Sequence, residues 1–310
     1  MQSATSESNS PSIALIYVFN SITILGFTLL FILLITAWKS PSIHRSSTWY
    51  CFIIYWMFFD LVNFILLGRQ TGDQSPGYKL CLIQASLNYM VPVLTGFAGV
   101  AMVLELFLSI SVSMNLSFGL GTRSGTMYLL WITPPFLALC VFIEALEYGI
   151  RNPEKVIRSN SGMICKVSDG VPAKVSAGFV IVAMLSIMIV EILVAVTVYR
   201  NWIVFKRLAR HERDSNVRKH CASIIRFTFF FLLGLLCLGI SIGISLQQKS
   251  NWSPFLNAQA NIITEIIPLA AGLTFGTQKD ILRSWMFWKT RNRPDYTNSG
   301  VSALRAKEIC

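Results

Sequence analysis

Seven apolar stretches, each long enough to cross a lipid bilayer, dominate this 310-residue chain. A transmembrane helix needs about 20 mostly apolar residues, and the chain supplies this length seven times. Only 13% of its residues are charged and 54% are hydrophobic, whereas soluble domains carry about 25% charged residues. The predicted spans are 13–38, 48–67, 80–112, 126–147, 175–204, 223–247 and 258–276. The sequence therefore predicts an all-α integral membrane protein, a seven-transmembrane helix bundle.

The distribution of Lys and Arg residues predicts how this bundle is oriented. If the N-terminus lies outside, 18 of the 26 basic residues fall on the cytoplasmic side and eight on the outer side, as the positive-inside rule requires. The net charge of +11 then reflects topology and contact with anionic lipid headgroups, so we expect membrane lipids but no nucleic acid as partners. We assign 1–12 to an extracellular segment, 13–276 to the bundle and 277–310 to a cytoplasmic helix and tail.

Two cysteines and one glycosylation motif fall on the predicted outer side. Cys81 begins the third span and Cys165 lies in the loop before the fifth, so both meet an oxidising compartment, where a disulfide can form. Two free thiols are the alternative. The tripeptide at Asn251 fits the glycosylation pattern on the outer side, whereas a second such motif, at Asn115, lies on the inner side and is expected to stay unmodified.

Acidic residues inside the spans are the first candidates for function, because ionisable groups in lipid are energetically expensive. The alternative for each one is a protonated acid that hydrogen-bonds to a neighbouring helix. Six acids lie in or near the spans: Asp60, Glu105, Glu144, Glu147, Glu191 and Glu265.

Several enzyme and pigment classes are disfavoured by the residues that the spans lack. His44, His211 and His220 all fall in predicted cytoplasmic loops, so the spans contain no histidine for a zinc hydrolase or a serine hydrolase. The last span has no lysine for a retinal Schiff base, and the chain has no glycine-rich phosphate loop. We expect no enzyme activity, no cofactor and no metal site.

The predicted cytoplasmic face carries a basic loop and an amphipathic segment. The loop 201–222 contains Lys206, Arg207, Arg210 and Arg213, the first three of which share one face if the fifth helix continues. This charge acts either as a topology signal or as a docking surface for an acidic partner. After the seventh span, 279–289 has an apolar face and three basic residues, which predicts a short amphipathic helix in the membrane interface.

Three short motifs give the chain a family resemblance. They are SIHR at 42–45 followed by Trp49 and Tyr50, CLIQA at 81–85, and FGTQKD at 275–280 followed by Trp285. With its seven spans, an outward N-terminus, cysteines at the start of the third helix and in the second outer loop, a basic third inner loop and a short eighth helix, the chain resembles a G-protein-coupled receptor. More narrowly, on the three motifs, it resembles the orphan seven-transmembrane receptor-like proteins of basidiomycete fungi.

The resemblance implies a plasma-membrane receptor that binds an extracellular ligand and signals to a heterotrimeric G protein through the basic loop. The implied ligand pocket in the outer half of the bundle comprises Gln84, Asn88, Glu144, Glu147, Asn261 and Glu265. Their acidity suggests a ligand with amine or hydroxyl donors. The implied activation switch comprises Asp60, Glu105, Arg226 and Pro268.

The chain departs from rhodopsin-like receptors at this switch. Glu105 is followed by Leu106 and not by arginine, and Pro268 does not belong to an Asn-Pro-x-x-Tyr motif. We therefore expect Glu105 to pair with Arg226 or Arg200 instead. Two other functions stay open: a secondary transporter or proton-coupled carrier that uses the membrane acids, although its usual internal repeat is not evident, and a scaffold that has lost coupling.

Overall fold

A computed structural model describes residues 13–40, 43, 45–71, 76–113, 124–200, 226–237, 239 and 254–285. These residues are mostly helical. We number the helices in chain order: α1 (Ile13–Lys39), α2 (Ser47–Phe64), α3 (Tyr78–Ser113), α4 (Ser124–Arg151), α5 (Val171–Arg200), α6 (Arg226–Cys237), α7 (Pro254–Gly276) and α8 (Lys279–Trp285). Two short strands, β1 (Val156–Arg158) and β2 (Cys165–Val167), join α4 to α5 after a 3₁₀ turn at Pro153–Lys155.

Five of the described helices are long and apolar enough to cross a membrane: α1, α3, α4, α5 and α7. Helix α2 is only 18 residues long, and Asp60 and Asn63 interrupt its apolar run. Helix α6 is an apolar helix described over 12 residues, and most of the rest of the predicted sixth span lies outside the described residues. The structure thus agrees with a multi-pass membrane protein, while the number seven and the outward N-terminus stay predictions.

The helix bounds differ from the predicted spans by a few residues at the polar ends. Helix α4 extends to Arg151 and α5 begins at Val171, because a helix continues past the hydrocarbon region wherever its backbone hydrogen bonds can still form. Helix α7 begins at Pro254, since proline fits the first turn of a helix, where its missing N–H is not needed.

Helix α3 lies at the centre of the bundle, against α2, α4 and α5, whereas α1 packs against α2 and α7. The core is rich in aromatic side chains. The ring of Phe52 is 5.7–6.2 Å, centroid to centroid, from four other rings. These rings belong to Trp56, Phe227, Phe230 and Phe275. The cluster therefore connects the beginnings of α2 and α6 to the end of α7.

The β1–β2 hairpin was not predicted, so the chain is not purely α-helical. The strands pair antiparallel, with Val156 opposite Val167 and Arg158 opposite Cys165. The disulfide between Cys81 and Cys165 is confirmed, with the two Cα atoms 5.3 Å apart, and it ties β2 to the first turn of α3. We call this end of the bundle the hairpin end, and the opposite one the α8 end.

The helix predicted after the seventh span is confirmed as α8 over Lys279–Trp285; residues 286–289 lie outside the described residues. Its apolar side packs on the bundle: Ile281 is fully buried, and Trp285 Nε1 donates a hydrogen bond of 2.8 Å to Thr36 Oγ1 on α1.

Candidate functional site

A cavity of about 620 Å³ lies inside the bundle, between α2, α3, α5, α6 and α7. Its volume falls within the range of small-molecule sites, about 300–1,000 Å³. Its described wall is built mainly from rings and small residues; the aromatic residues in it are Phe52, Trp56, Phe59, Tyr89, Phe227, Phe230 and Phe231. None of the described lining residues is charged. The site is therefore suited to apolar surface rather than to an ion.

Two glycines on α3 set the width of the cavity. A Cβ atom on Gly96 would lie 3.3 Å from the Ala183 Cβ, and one on Gly99 would lie 3.2 Å from the Ile187 Cδ1. Because these contacts are tighter than ordinary van der Waals distances, the absence of side chains lets α5 approach α3 closely. The cavity is left between these points of close packing.

Most polar groups of the described lining already have partners within the protein. The Thr95 hydroxyl donates to the Val91 carbonyl at 3.1 Å, and the Ser176 hydroxyl donates to the Tyr89 carbonyl at 2.7 Å. The Tyr89 hydroxyl accepts from the Val167 N–H at 3.0 Å. By contrast, Asn88 Nδ2 and Trp56 Nε1 are buried, and neither has an acceptor among the described residues. Among the side chains of the described wall, these two donors are available to a ligand.

Of the six residues predicted to bind a ligand, only Asn88 lines this cavity. Gln84 and Asn261 secure the hairpin instead. Gln84 Oε1 accepts from the Cys165 N–H at 2.7 Å, and Asn261 Nδ2 donates to Ser161 Oγ at 3.0 Å. Both amides thus hold the loop that covers this end of the bundle.

The predicted acidic ligand contacts also lie away from the cavity. Glu147 is exposed and pairs with Arg151 one turn along α4. Glu144, also on α4, is partly buried, and its Oε2 has no hydrogen-bond partner among the described residues. Glu265 is only 2% exposed and contacts α1 and α2. The wall of the cavity is accordingly much less acidic than the sequence suggested.

Glu265 and Asp60 form a buried acidic cluster between α1, α2 and α7. Glu265 accepts from Asn63 Nδ2 at 2.5 Å and from Thr23 Oγ1 at 3.0 Å. Asp60 is fully buried one turn before Asn63, and neither of its oxygens has a hydrogen-bond partner among the described residues. A Cβ on Gly26 would lie 3.5 Å from Asp60 Oδ2 and 3.4 Å from the backbone nitrogen of Leu269. The glycine lets α1 approach this cluster next to Pro268.

At the α8 end, the polar contacts differ from those expected. Glu105 accepts a hydrogen bond from Thr48 on α2, and Arg226 donates to the Thr277 carbonyl at 3.4 Å. Glu105 forms no ion pair among the described residues. The expected pairing with Arg226 or Arg200 is therefore not seen there.

An ion pair that the sequence did not suggest holds α8 to the α1–α2 loop. Arg45 Nη2 lies 2.5 Å from Asp280 Oδ2, and the guanidinium also lies over the Trp49 ring. Burial lowers the pKa of Arg45 from its usual value, and Asp280 opposes that shift. Asp280 is the last residue of the FGTQKD motif at 275–280, but nothing in the sequence indicated that its partner is Arg45. Lys206, Arg207, Arg210, Arg213 and Asn251 lie outside the described residues.

Comparison with known proteins supports the fold. No family model matches the sequence, and no curated protein matches it either. The structure is similar to the crystal structure of squid rhodopsin, with a TM-score of 0.66 at 11% sequence identity. The similarity covers 91% of this chain and 87% of the rhodopsin chain. At this identity the likeness concerns the fold alone: the chain has a fold like that of a G-protein-coupled receptor.

Proposed function

We propose that this chain is a seven-helix plasma-membrane receptor, with its N-terminus outside, that binds an extracellular ligand and signals to a heterotrimeric G protein. The observation that carries the proposal is the cavity of about 620 Å³ between five helices of a rhodopsin-like bundle. The basic loop 201–222 supplies the docking charge in this proposal. The likeness to basidiomycete orphan receptors belongs to the same proposal and rests on the sequence motifs.

Helix α6 gives the cavity a mechanical connection to the α8 end. Phe227 lines the cavity and packs 6.2 Å from the Phe52 ring, and its neighbour Arg226 donates to the Thr277 carbonyl at the end of α7. A ligand that prefers one arrangement of α6 shifts the population toward it. That shift changes the contact between Arg226 and Thr277, and Arg226 comes four residues after the basic loop in the sequence. In this proposal Asp60, Glu105, Arg226 and Pro268 take part in the switch.

The test is guanine-nucleotide exchange on a co-expressed Gα subunit in membranes that contain the protein. The variant changes Arg207, Arg210 and Arg213 to Glu. The matched control changes Arg69, Lys79 and Lys174 to Glu, because these exposed basic residues lie at the hairpin end. We expect the first reversal to abolish exchange and the control to keep it. Equal exchange by both variants, or none by a well-expressed wild type with any Gα, would contradict the proposal.

The buried acidic cluster favours one second candidate, a proton-coupled carrier. Two carboxyl groups in the core, one of them without a hydrogen-bond partner in the described structure, are typical of proton relays in transporters. A carrier would show substrate uptake that Asp60→Asn and Glu265→Gln each abolish. Uptake that survives both substitutions would remove the carrier from consideration, whereas the receptor needs neither group to titrate.

A further inference from the structure

We propose that the cavity binds a long, neutral, apolar molecule that carries a hydroxyl group. The inference rests on the proposed function, since it names the chemical class of the ligand for that same cavity. It differs from the sequence expectation, in which acidic residues would have selected an amine.

The shape of the cavity favours an elongated molecule. Its lining on α5 extends from Ala173 to Ile187, and 14 residues of helix rise about 21 Å. One leaflet of the hydrocarbon core is about 15 Å thick, so the cavity is long enough for a lipid chain lying parallel to the helices. The aromatic and small side chains along this length offer dispersion contacts and few polar ones.

The charge of the lining favours a neutral molecule. The described wall contains no Lys, Arg, His, Asp or Glu, and burial of a charge without a partner is very unfavourable. Glu265 on α7 follows the lining residue Thr264, but it is not itself in the described lining and already accepts hydrogen bonds from Asn63 and Thr23. An amine or a carboxylate would therefore find no compensating charge among the described residues of the wall.

The free hydrogen-bonding groups favour a hydroxyl. Asn88 Nδ2 and Trp56 Nε1 need acceptors. Asn88 and Thr264 also lie four residues before Pro92 and Pro268 in their helices, and proline lacks the N–H that would bond to the carbonyl four residues earlier. The wall residues thus present both donors without acceptors and carbonyls without their usual donors. A hydroxyl both donates and accepts, whereas an ether or an ester only accepts.

The hairpin favours a ligand that reaches the cavity through the lipid. Met163 at its tip is fully buried against Ile16, Phe19 and Ala258. The Met163 carbonyl also accepts from Gln70 Nε2 at 3.4 Å, and Gln70 accepts from Asn20 Nδ2 at 2.7 Å. A large water-soluble ligand that entered beside Met163 would have to displace this covered segment. An apolar alcohol partitions into the bilayer and avoids it.

The probe for a test is 1-hexadecanol with a photoreactive diazirine in the middle of its chain. The full-length protein is reconstituted in phosphatidylcholine nanodiscs, irradiated and digested, and the labelled residues are identified by mass spectrometry. We expect labels on cavity residues such as Met184 and Phe231. Unlabelled 1-hexadecanol should compete at about two- to tenfold lower concentration than hexadecane, the range that one net hydrogen bond provides, and more effectively than hexadecanoate or hexadecylamine. The probe is either loaded into the lipid beforehand or delivered from buffer on cyclodextrin. Labelling by the first route alone would identify the ligand as a membrane component, and labelling by the second would be compatible with an external messenger.

Three variants locate the binding site. Gly234→Leu adds a side chain to the cavity wall, where Met184 Cε lies 3.7 Å from the position of the new Cβ, and should reduce cavity labelling at least fivefold. Ala177→Phe fills the same cavity from α5, in case Gly234→Leu fails to fold. The control is Gly178→Leu, because Gly178 is exposed and has nothing within 4 Å of an added Cβ. Asn88→Leu should remove the preference for the alcohol over the alkane without preventing labelling.

The outcomes separate this inference from the receptor function. Labels confined to lipid-facing residues and unchanged in both filled variants would overturn the inference, as would stronger competition by the carboxylate or the amine. Labelling is measured without a G protein, and nucleotide exchange is recorded separately. Labelling as expected with no exchange leaves the ligand class standing and contradicts the receptor. Exchange that responds to other compounds, with no cavity labelling by the alcohol, contradicts the ligand class alone.

Discussion

At the scale of single residues, buried carboxyl groups depend on the donors around them. Glu265 accepts from Asn63 and Thr23, and Asn63 Nδ2 also contacts the Phe59 carbonyl at 3.3 Å. The hydrogen bond between Asn63 and Glu265 joins α2 to α7 in the core. A buried acceptor that loses its donor keeps its full desolvation penalty, whereas the loss of both partners together costs far less.

This asymmetry predicts the result of a double-mutant cycle. Asn63→Leu should lower the free energy of unfolding by about 1–3 kcal/mol, because it leaves Glu265 Oε1 without a donor. The double variant Asn63→Leu, Glu265→Leu should recover most of that loss, because an apolar pair replaces the polar one. Unfolding of the purified protein in mixed micelles measures both. Glu147→Leu is the matched control, because its exposed pair with Arg151 contributes little. Additive losses in the double variant would contradict the coupling.

The same scale explains why the sequence misplaced the ligand residues. The type of each residue was readable: Gln84, Asn261 and Glu265 are polar groups within apolar runs. Their partners were not, because Cys165, Ser161 and Thr23 are distant in sequence and meet them only in the folded bundle. Asn88 differs because it lines the cavity, and its amide nitrogen has no acceptor among the described residues. A polar residue in a span thus predicts a hydrogen-bonding group without predicting whether the protein already uses it.

At the scale of elements, the hairpin depends on side chains from the helices beneath it. Each strand has only three residues, which is too short for alternation of polar and apolar residues to be recognised in the sequence. Gln84 and Tyr89 on α3 accept hydrogen bonds from the Cys165 and Val167 N–H groups. Helix α3 therefore holds β2 through these two side chains as well as through the disulfide, in addition to the pairing of β2 with β1.

Removal of one of these acceptors should loosen the strand. Gln84→Leu leaves the buried Cys165 N–H without an acceptor, which costs about 1–3 kcal/mol. Amide hydrogen exchange at Cys165 should accelerate by about tenfold or more in this variant, since each 1.4 kcal/mol corresponds to a factor of ten. Asn88→Leu, one turn further along α3, should leave the exchange unchanged because Asn88 faces the cavity. Equal protection in wild type and Gln84→Leu would show that the Gln84 acceptor does not hold the strand.

The base of the hairpin carries an ion pair outside the membrane spans. Lys155 Nζ lies 3.0 Å from Asp169 Oδ2, and Tyr148 also donates to Asp169. The hydrogen bond from Tyr148, followed by that from Lys155, lowers the pKa of Asp169 below its usual 3.8, and the contact with Asp169 raises the pKa of Lys155 above its usual 10.5. A lowered acid pKa contributes stability above the usual pKa of the acid, and that stability is lost as pH falls. A raised lysine pKa contributes stability that is lost as pH rises through the raised value.

These directions predict a pH window for the pair. The difference in thermal unfolding midpoint between wild type and Asp169→Asn should be constant from about pH 5 to about pH 9, since neither group titrates there. It should shrink as the pH falls below the usual Asp169 pKa of 3.8. Differential scanning fluorimetry across the range measures it. A difference that changes between pH 6 and 8 would implicate another group. Both side chains are exposed enough for salt to weaken the effect.

At the scale of the whole molecule, the sequence predicted what depends on hydropathy and compartment. The apolar runs of α1, α3, α4, α5 and α7 are long enough to cross a membrane, and the disulfide joins two cysteines assigned to the same side. The cavity was not predictable in this way. It arises where Gly96 and Gly99 bring α5 close to α3 while neighbouring small residues leave space. The position of such a space depends on the relative rotation of five helices, which hydropathy does not determine.

The orientation of the whole bundle makes the last prediction. With the N-terminus outside, the motif at Asn251 faces the glycosylation machinery and the one at Asn115 does not, although both fit the same tripeptide pattern. Expression in a glycosylating eukaryotic host should therefore give a mass shift that glycosidase treatment and Asn251→Gln each remove, and that Asn115→Gln leaves in place. A glycan on Asn115 would show that the orientation is the opposite one, with the basic loop 201–222 outside, where no G protein can reach it. If neither site is modified, antibody access to an N-terminal tag on intact cells decides the orientation, and only an accessible tag is compatible with a receptor that has its cytoplasmic face at α8.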